Sequence, residues 1–162
     1  MPICNPSDLK RLLPRGSRLF GLDVGTKTIG MALSDTTLLV ATPFDTIRRT
    51  RFRDDAARLA AEIERHGVGG IVVGLPIALD GREGPRAQGV RQFARNLLER
   101  IDRPLAFWDE RLSTAAVERE MIAADLSRKR RAEIIDKVAA AYILQGLLDR
   151  LGRDDLSPPT SP

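Results

Sequence analysis

The chain has 162 residues, 43% of them hydrophobic and 30% charged, which suits one globular domain with a sizeable core rather than a disordered chain. Its 26 basic and 22 acidic residues leave a net charge of +4, which permits a polyanionic partner without demanding one. A single cysteine, Cys4, and a single histidine, His66, exclude an intrachain disulfide, a cysteine zinc site and a multi-histidine centre.

Any bound metal must then be held by oxygens, which favours Mg²⁺ or Mn²⁺. No apolar stretch has the length of a membrane span, and Met1 to Ser17 lack the apolar segment of a signal peptide. The expectation is a cytoplasmic protein with no membrane partner.

Residues 1–17 are polar, contain Pro2, Pro6 and Pro14, and read as a loose arm with one helical turn at Asp8 to Leu13. Two apolar runs follow, Leu19 to Val24 and Ile29 to Leu33, separated by Gly25 to Thr28. They predict a β-hairpin. A third strand is expected within Leu38 to Arg48, at an edge or with a bulge because of Pro43. Three strands with no room for helices between them must pair largely antiparallel.

From residue 52 the period changes. Ala56, Leu59, Ala60 and Ile63 make one helical face, and Gly67 is placed to end that helix. Gly70 to Gly74 predict a buried strand, and Leu75 to Gly84 a turn-rich loop. Val90, Phe93, Ala94, Leu97 and Ile101 mark a second helix, and Pro104 to Trp108 a last strand. Ser113 is a candidate cap for a third helix. Ser127 to Arg131 form a basic connection, residues 132–149 a final apolar helix, and the Pro/Ser-rich end a disordered tail. The order β-β-β-α-β-α-β-α-α predicts an α/β fold with a mixed five-stranded sheet, its first three strands antiparallel and the rest in βαβ units, flanked by helices.

Asp23 sits inside an apolar strand, where an ionised carboxylate needs a partner or a metal. Glu110 stands just past the last strand, and Asp136 opens the first turn expected for the final helix, followed by Ala139 to Ala141. Small residues there let the helix lie close to the sheet and bring Asp136 towards Asp23. Three carboxylates at close range require a cation between them. Two such ions roughly 4 Å apart can activate water and stabilise a leaving oxygen in phosphodiester cleavage. Taken singly, each acid has a plainer reading: a strand-end turn for Asp23, a surface pair with Arg111 for Asp109 or Glu110, a helix-dipole charge for Asp136.

Four blocks carry a resemblance: Gly21 to Asp35, Val72 to Pro76 with Asp80-Gly81, Asp109 to Thr114, and Ile135 to Leu144. In order and spacing they resemble the YqgF family of bacterial pre-16S rRNA nucleases, also called Holliday-junction-resolvase-like proteins. The resemblance spans residues 18–149 and implies an RNase H-like nuclease domain at 18–150, with an arm at 1–17 and a tail at 151–162. It implies metal-dependent phosphodiester hydrolysis, with Asp23, Glu110 and Asp136 matching the family's acidic triad as catalytic and metal-binding residues. It also implies trimming of the 5′ end of the 16S rRNA precursor. Ala139 and Ala140 stand where related junction resolvases place a fourth acid, which speaks against direct junction cleavage.

Lys27, Arg111 and the run Arg128, Lys129, Arg130 and Arg131 are candidate phosphate contacts. Each also has a surface reading, including an Arg111–Asp109 pair. His66, Trp108 and Cys4 read as helix-end, packing and incidental residues. Aromatics are only 4% of the chain, too few for base-stacking platforms. Three other functions stay open: a resolvase-like DNA nuclease, a non-catalytic RNA-binding assembly factor, and an ATP-binding module like the phosphate hairpin of the sugar kinase, actin and Hsp70 group. The last needs two such domains. Oligomeric state, monomer or homodimer, is open too.

Overall fold

The computed structural model describes the backbone of residues 3–112 and 128–156 and the side chains of residues 3–112 and 134–153. Alternation along the first long strand, β2 (Arg18–Val24), sets up two cores. Phe20, Leu22 and Val24 join one apolar cluster and Leu19 the other. By the same alternation Asp23 shares the face of Leu19. β2 pairs antiparallel with β3 (Thr28–Ser34), with Asp23 opposite Gly30. The Gly25 N–H donates to the Thr28 carbonyl (2.8 Å) and closes the turn.

β4 (Ala41–Arg48) pairs antiparallel with β3 and forms an edge of the sheet. Met31 faces Asp45 and Ala32 faces Pro43, so Phe44 is the extra residue of a bulge. Proline thus occupies one of the few strand settings that tolerate its missing donor. After helix α2 (Phe52–Arg65) the chain turns at Gly67, whose φ of +64° lies in the left-handed region that favours glycine. β5 (Val68–Leu75) is buried along its whole length, as a strand covered on both faces must be. Helix α3 (Pro85–Leu98), β6 (Leu105–Asp109) and a 3₁₀ turn (Glu110–Leu112) follow. β5 is parallel to both β2 and β6.

The expected five-stranded sheet has six strands, because Ile3–Cys4 form β1 and pair in parallel with Leu105 and Ala106. The order is β1-β6-β5-β2-β3-β4. The loose arm is therefore corrected, while the helical turn expected at Asp8 to Leu13 is found as part of a helix that ends at Leu12. After β1, helix α1 (Pro6–Leu12) inserts Leu9, which has no solvent exposure, into the second core. Satisfying the open β6 edge and burying Leu9 hold this segment. A two-residue strand carries no periodicity from which to read it.

The faces are covered differently. Leu59, Ile63, Val90, Phe93 and Leu97 of α2 and α3 cover Phe20, Leu22, Ile71 and Val73. The last helix, α4 (Arg128–Leu156), covers the other face through Ala140, Ile143, Leu144 and Leu147. It is longer than the expected 132–149 at both ends, and Leu151 is buried, so the chain stays helical into the expected tail. Asp136 accordingly sits about two turns inside the helix and not in its first turn. A helix-dipole role for it is removed, because that effect fades within the first turn. The expected helix after Ser113 lies outside the described residues.

Candidate active site

Glycines bring α4 down onto the sheet. A Cβ at Gly21 would stand 2.8 Å from Cβ of Leu144, and one at Gly30 would collide with the carbonyl of Asp136. One at Gly74 would collide with Ile143 and stand 2.8 Å from Oε1 of Glu110. The helix backbone therefore rests on the strand backbone at Gly30, which is paired with Asp23. Leu22 faces Val73 in the parallel register, so Asp23 and Gly74 come next on neighbouring strands.

These contacts place the three acids on one face at the carboxyl end of the parallel strands, the usual position for sites in such sheets. Asp23 is 4% exposed, on the face that α4 covers. Glu110 follows β6 with its carboxylate over Gly74. Asp136 reaches in from α4, and its Oδ2 accepts a hydrogen bond from the Thr28 hydroxyl. Asp109, by alternation, points away and takes Arg111 instead (Nη2–Oδ2 2.6 Å, Nε–Oδ2 3.0 Å).

Three carboxylates make a hard, oxygen-only donor set, which fits Mg²⁺ or Mn²⁺ in kind. They flank one mouth without closing into a preformed centre. Among the described residues no three His, Cys, Asp or Glu side chains group closely enough to hold a metal ion.

The other predicted residues divide. Lys27 is exposed at the hairpin tip. Arg111 is committed to Asp109, and its Nη1 lies 3.5 Å from the Ala78 carbonyl of the 76–84 loop. The hydrogen bonds from Arg111 hold the Asp109 carboxyl below its ordinary range and raise the guanidinium in turn. In that loop Asp80-Gly81 form a turn, Gly81 donating to Ala78 (2.8 Å). Arg128 to Arg131 open α4, and their side chains lie outside the described residues. His66 ends α2 with its ring 3.1 Å from Glu62, and Trp108 packs against Gly146.

Two features were missed from sequence. Thr28 read as a turn residue, yet it is the hydroxyl that holds Asp136. Arg49 pins the hairpin tip: its backbone N–H donates to Lys27 (2.8 Å), its Nη1 to the Gly25 carbonyl (2.6 Å), and its guanidinium lies over the Phe93 ring (5.3 Å). Between the tip, the end of β4 and the start of α3 lies an open cleft of about 830 Å³, lined by Lys27, Thr28, Arg48, Arg49 and Arg86. The adjacent Arg48-Arg49 pair was the available sequence signal. So was Arg86, a cation in the first turn of a helix, where the dipole disfavours it.

This sheet order, with a long helix over one face, is the architecture of RNase H-like resolvases. The chain resembles Thermus thermophilus RuvC, solved in complex with a Holliday junction substrate, with a TM-score of 0.54 over 84% of this chain and 96% of that one, at 14% identity. A family model described as RuvX, Holliday junction resolvase, matches residues 17–150, and the chain belongs to that family of phosphodiester hydrolases. Relatives named "Putative pre-16S rRNA nuclease" include one from Paramagnetospirillum magneticum, 62% identical over 149 residues (92% of this chain, 96% of the relative). Another, from Rhodospirillum centenum, is 56% identical over 98% of this chain and 87% of its own length.

Proposed function

We propose that this protein is a divalent-metal-dependent nuclease that processes the 5′ end of the 16S rRNA precursor in ribosome biogenesis, in the cytoplasm. The carrying observation is that Asp23, Glu110 and Asp136, from three distant parts of the chain, share one face at the mouth of the sheet. The names of relatives matched over most of both chains support the substrate.

In this reading the three carboxylates hold Mg²⁺ or Mn²⁺. When bound, such an ion lowers the pKa of attacking water and neutralises charge building on the scissile phosphate. The chain's own residues prepare that chemistry. Burial beneath α4 shields Asp23 from water, and a low-dielectric setting strengthens the interaction of a carboxylate with a cation. Thr28 orients Asp136. Arg111 ties Asp109 and the 76–84 loop in place, leaving Glu110 to face the mouth. Lys27 and the Arg128–Arg131 run supply positive charge for the RNA backbone, and residues 18–150, closed by the N-terminal strand and helix, carry the nuclease site. Structured DNA remains a second substrate class because the chain is similar to a junction resolvase solved with its substrate.

The test is cleavage of a precursor fragment extended past the mature 5′ end, in Mg²⁺ and in EDTA, by wild type, Asp23→Asn and Glu110→Gln. Cleavage that stops in EDTA and falls at least ~100-fold in each variant is expected, in line with losing a group on which the chemistry turns. Undiminished cleavage by the folded variants defeats the assignment.

A further inference from the structure

We propose that the cleft bounded by the β2–β3 tip, the end of β4 and the first turn of α3 is a phosphate-backbone subsite. It would seat a nucleic-acid strand before that strand passes over the hairpin to the acids. The proposal rests on the nuclease reading for what happens to the strand, but on Arg48 and Arg86, which that reading does not use, for where it binds. Arg48 and Arg86 carry it, with Lys27 and Arg49 beside them.

Charge is the first argument. Lys27, Arg48, Arg49 and Arg86 converge on one cavity from three elements, and no carboxylate lines it among the described residues. None of the four makes a salt bridge within that set, whereas Arg58, Arg91, Arg103 and Arg111 are each paired with an acid. Four cations held together with no counter-charge among the described residues repel, and a polyanion relieves that repulsion.

Construction is the second. Arg49 is not a loose surface cation: the Gly25 carbonyl and the Phe93 ring fix its guanidinium, and with it the wall of the cleft. Arg86 stands in the first turn of α3, which contains no acid, and the Gly84 N-cap offers no side-chain hydrogen bond. First-turn donors and a cation at the same helix end both suit an anion.

Position is the third. Thr28 lines the cleft with its backbone neighbours and donates to Asp136 on the other side of the hairpin. One residue therefore separates the cation-lined cavity from the acids. Among the lining residues there is no aromatic ring to stack a base, so the cleft would read phosphates and not sequence.

The test measures binding, in EDTA, of a fluorescein-labelled RNA hairpin with a single-stranded extension, and of the matching DNA. The full-length protein is compared with Arg48→Ala/Arg86→Ala and with Arg65→Ala/Arg95→Ala, which removes equal charge from the far ends of α2 and α3. The cleft variant should lose about tenfold or more in affinity, and its plot of log K against log salt should flatten by about 1.4 to 1.8 for two lost contacts. The control should move less than about twofold. Equal losses in both variants, or unchanged binding in the cleft variant, overturn the subsite. Asp23→Asn separates the two proposals. Binding at wild-type strength without cleavage upholds both. A wild type that never cleaves but binds through Arg48 and Arg86 defeats the nuclease reading alone.

Discussion

The hydroxyl of Thr28 donates to Oδ2 of Asp136, a residue 108 positions away in the chain. A side chain at the end of one hairpin strand thereby fixes the orientation of a carboxylate on the last helix. Thr28→Val should leave folding intact, raise the Mg²⁺ concentration needed for half-maximal cleavage, and lower the rate by about 10- to 100-fold, the usual cost of losing an outer support of a metal ligand. Thr28→Ser should restore most of both. Metal titrations of the three proteins check it, and equal activation curves refute it.

Gly30 and Asp136 define the height of α4 above the sheet. A methyl group at residue 30 has nowhere to go, because the obstacle is the Asp136 main-chain carbonyl and not a flexible side chain. Gly30→Ala should cost about 1–3 kcal/mol or more. At roughly 2–4 °C per kcal/mol for a chain of this length, thermal melting should fall by several degrees. Cleavage should fall further than stability explains, because the helix that lifts carries an acid.

Leu9 tests whether the N-terminal segment belongs to the folded unit. It is fully buried beneath α4 and packs in the second core. Leu9→Ala should cost about 2–5 kcal/mol in denaturant unfolding, as for other buried leucines. A cost near zero would mean that residues 3–12 are dispensable.

Asp35 governs acid behaviour at the β3–β4 turn. The Thr37 hydroxyl, with the Val40 and Leu39 backbone N–H groups, lowers its pKa from 3.8 to about 2. A depressed folded value means that the unfolded chain takes up the proton first as pH falls. The contribution is full above the ordinary carboxylate pKa and drains away as pH drops towards about 2. Asp35→Ala should therefore melt below wild type at about pH 6, with the gap narrowing from about pH 4 downwards. A gap that widens in acid would contradict the hydrogen-bond account.

Local pattern made the hairpin, α2, α3 and the parallel strands legible, because each carries a clear period of two or 3.6 and a recognisable stop, such as Gly67. Pro43 even announced its edge strand and bulge. What stayed hidden depends on long-range geometry. Ile3–Cys4 are too short to show alternation and form a strand only because β6 leaves an open edge. The start of α4 was placed too late, which misassigned Asp136 to a first turn.

Asp23 stood out because a carboxylate in an apolar strand is anomalous by itself, whereas Glu110 and Asp136 stood out only by their places at element ends and by the family resemblance. Arg48, Arg49 and Arg86 did not, because an arginine pair and a first-turn arginine are weak signals apart and only the folded hairpin, edge strand and helix start assemble them. Arg111 shows the reverse. In sequence it reads both as a phosphate contact beside Glu110 and as a partner of Asp109, and the pair with Asp109 is the one that forms.

The seating of Trp108 against Gly146 has a practical consequence. It is the single tryptophan of the chain, buried, and two residues from Glu110, with its indole nitrogen 2.8 Å from the Cβ position at Gly146 on α4. The native protein thus carries a fluorophore at the join between its last strand and its last helix. Emission from that ring would register any lift or slide of α4 without a label, and would let cation entry, strand binding and helix seating be timed against one another in a single stopped-flow trace.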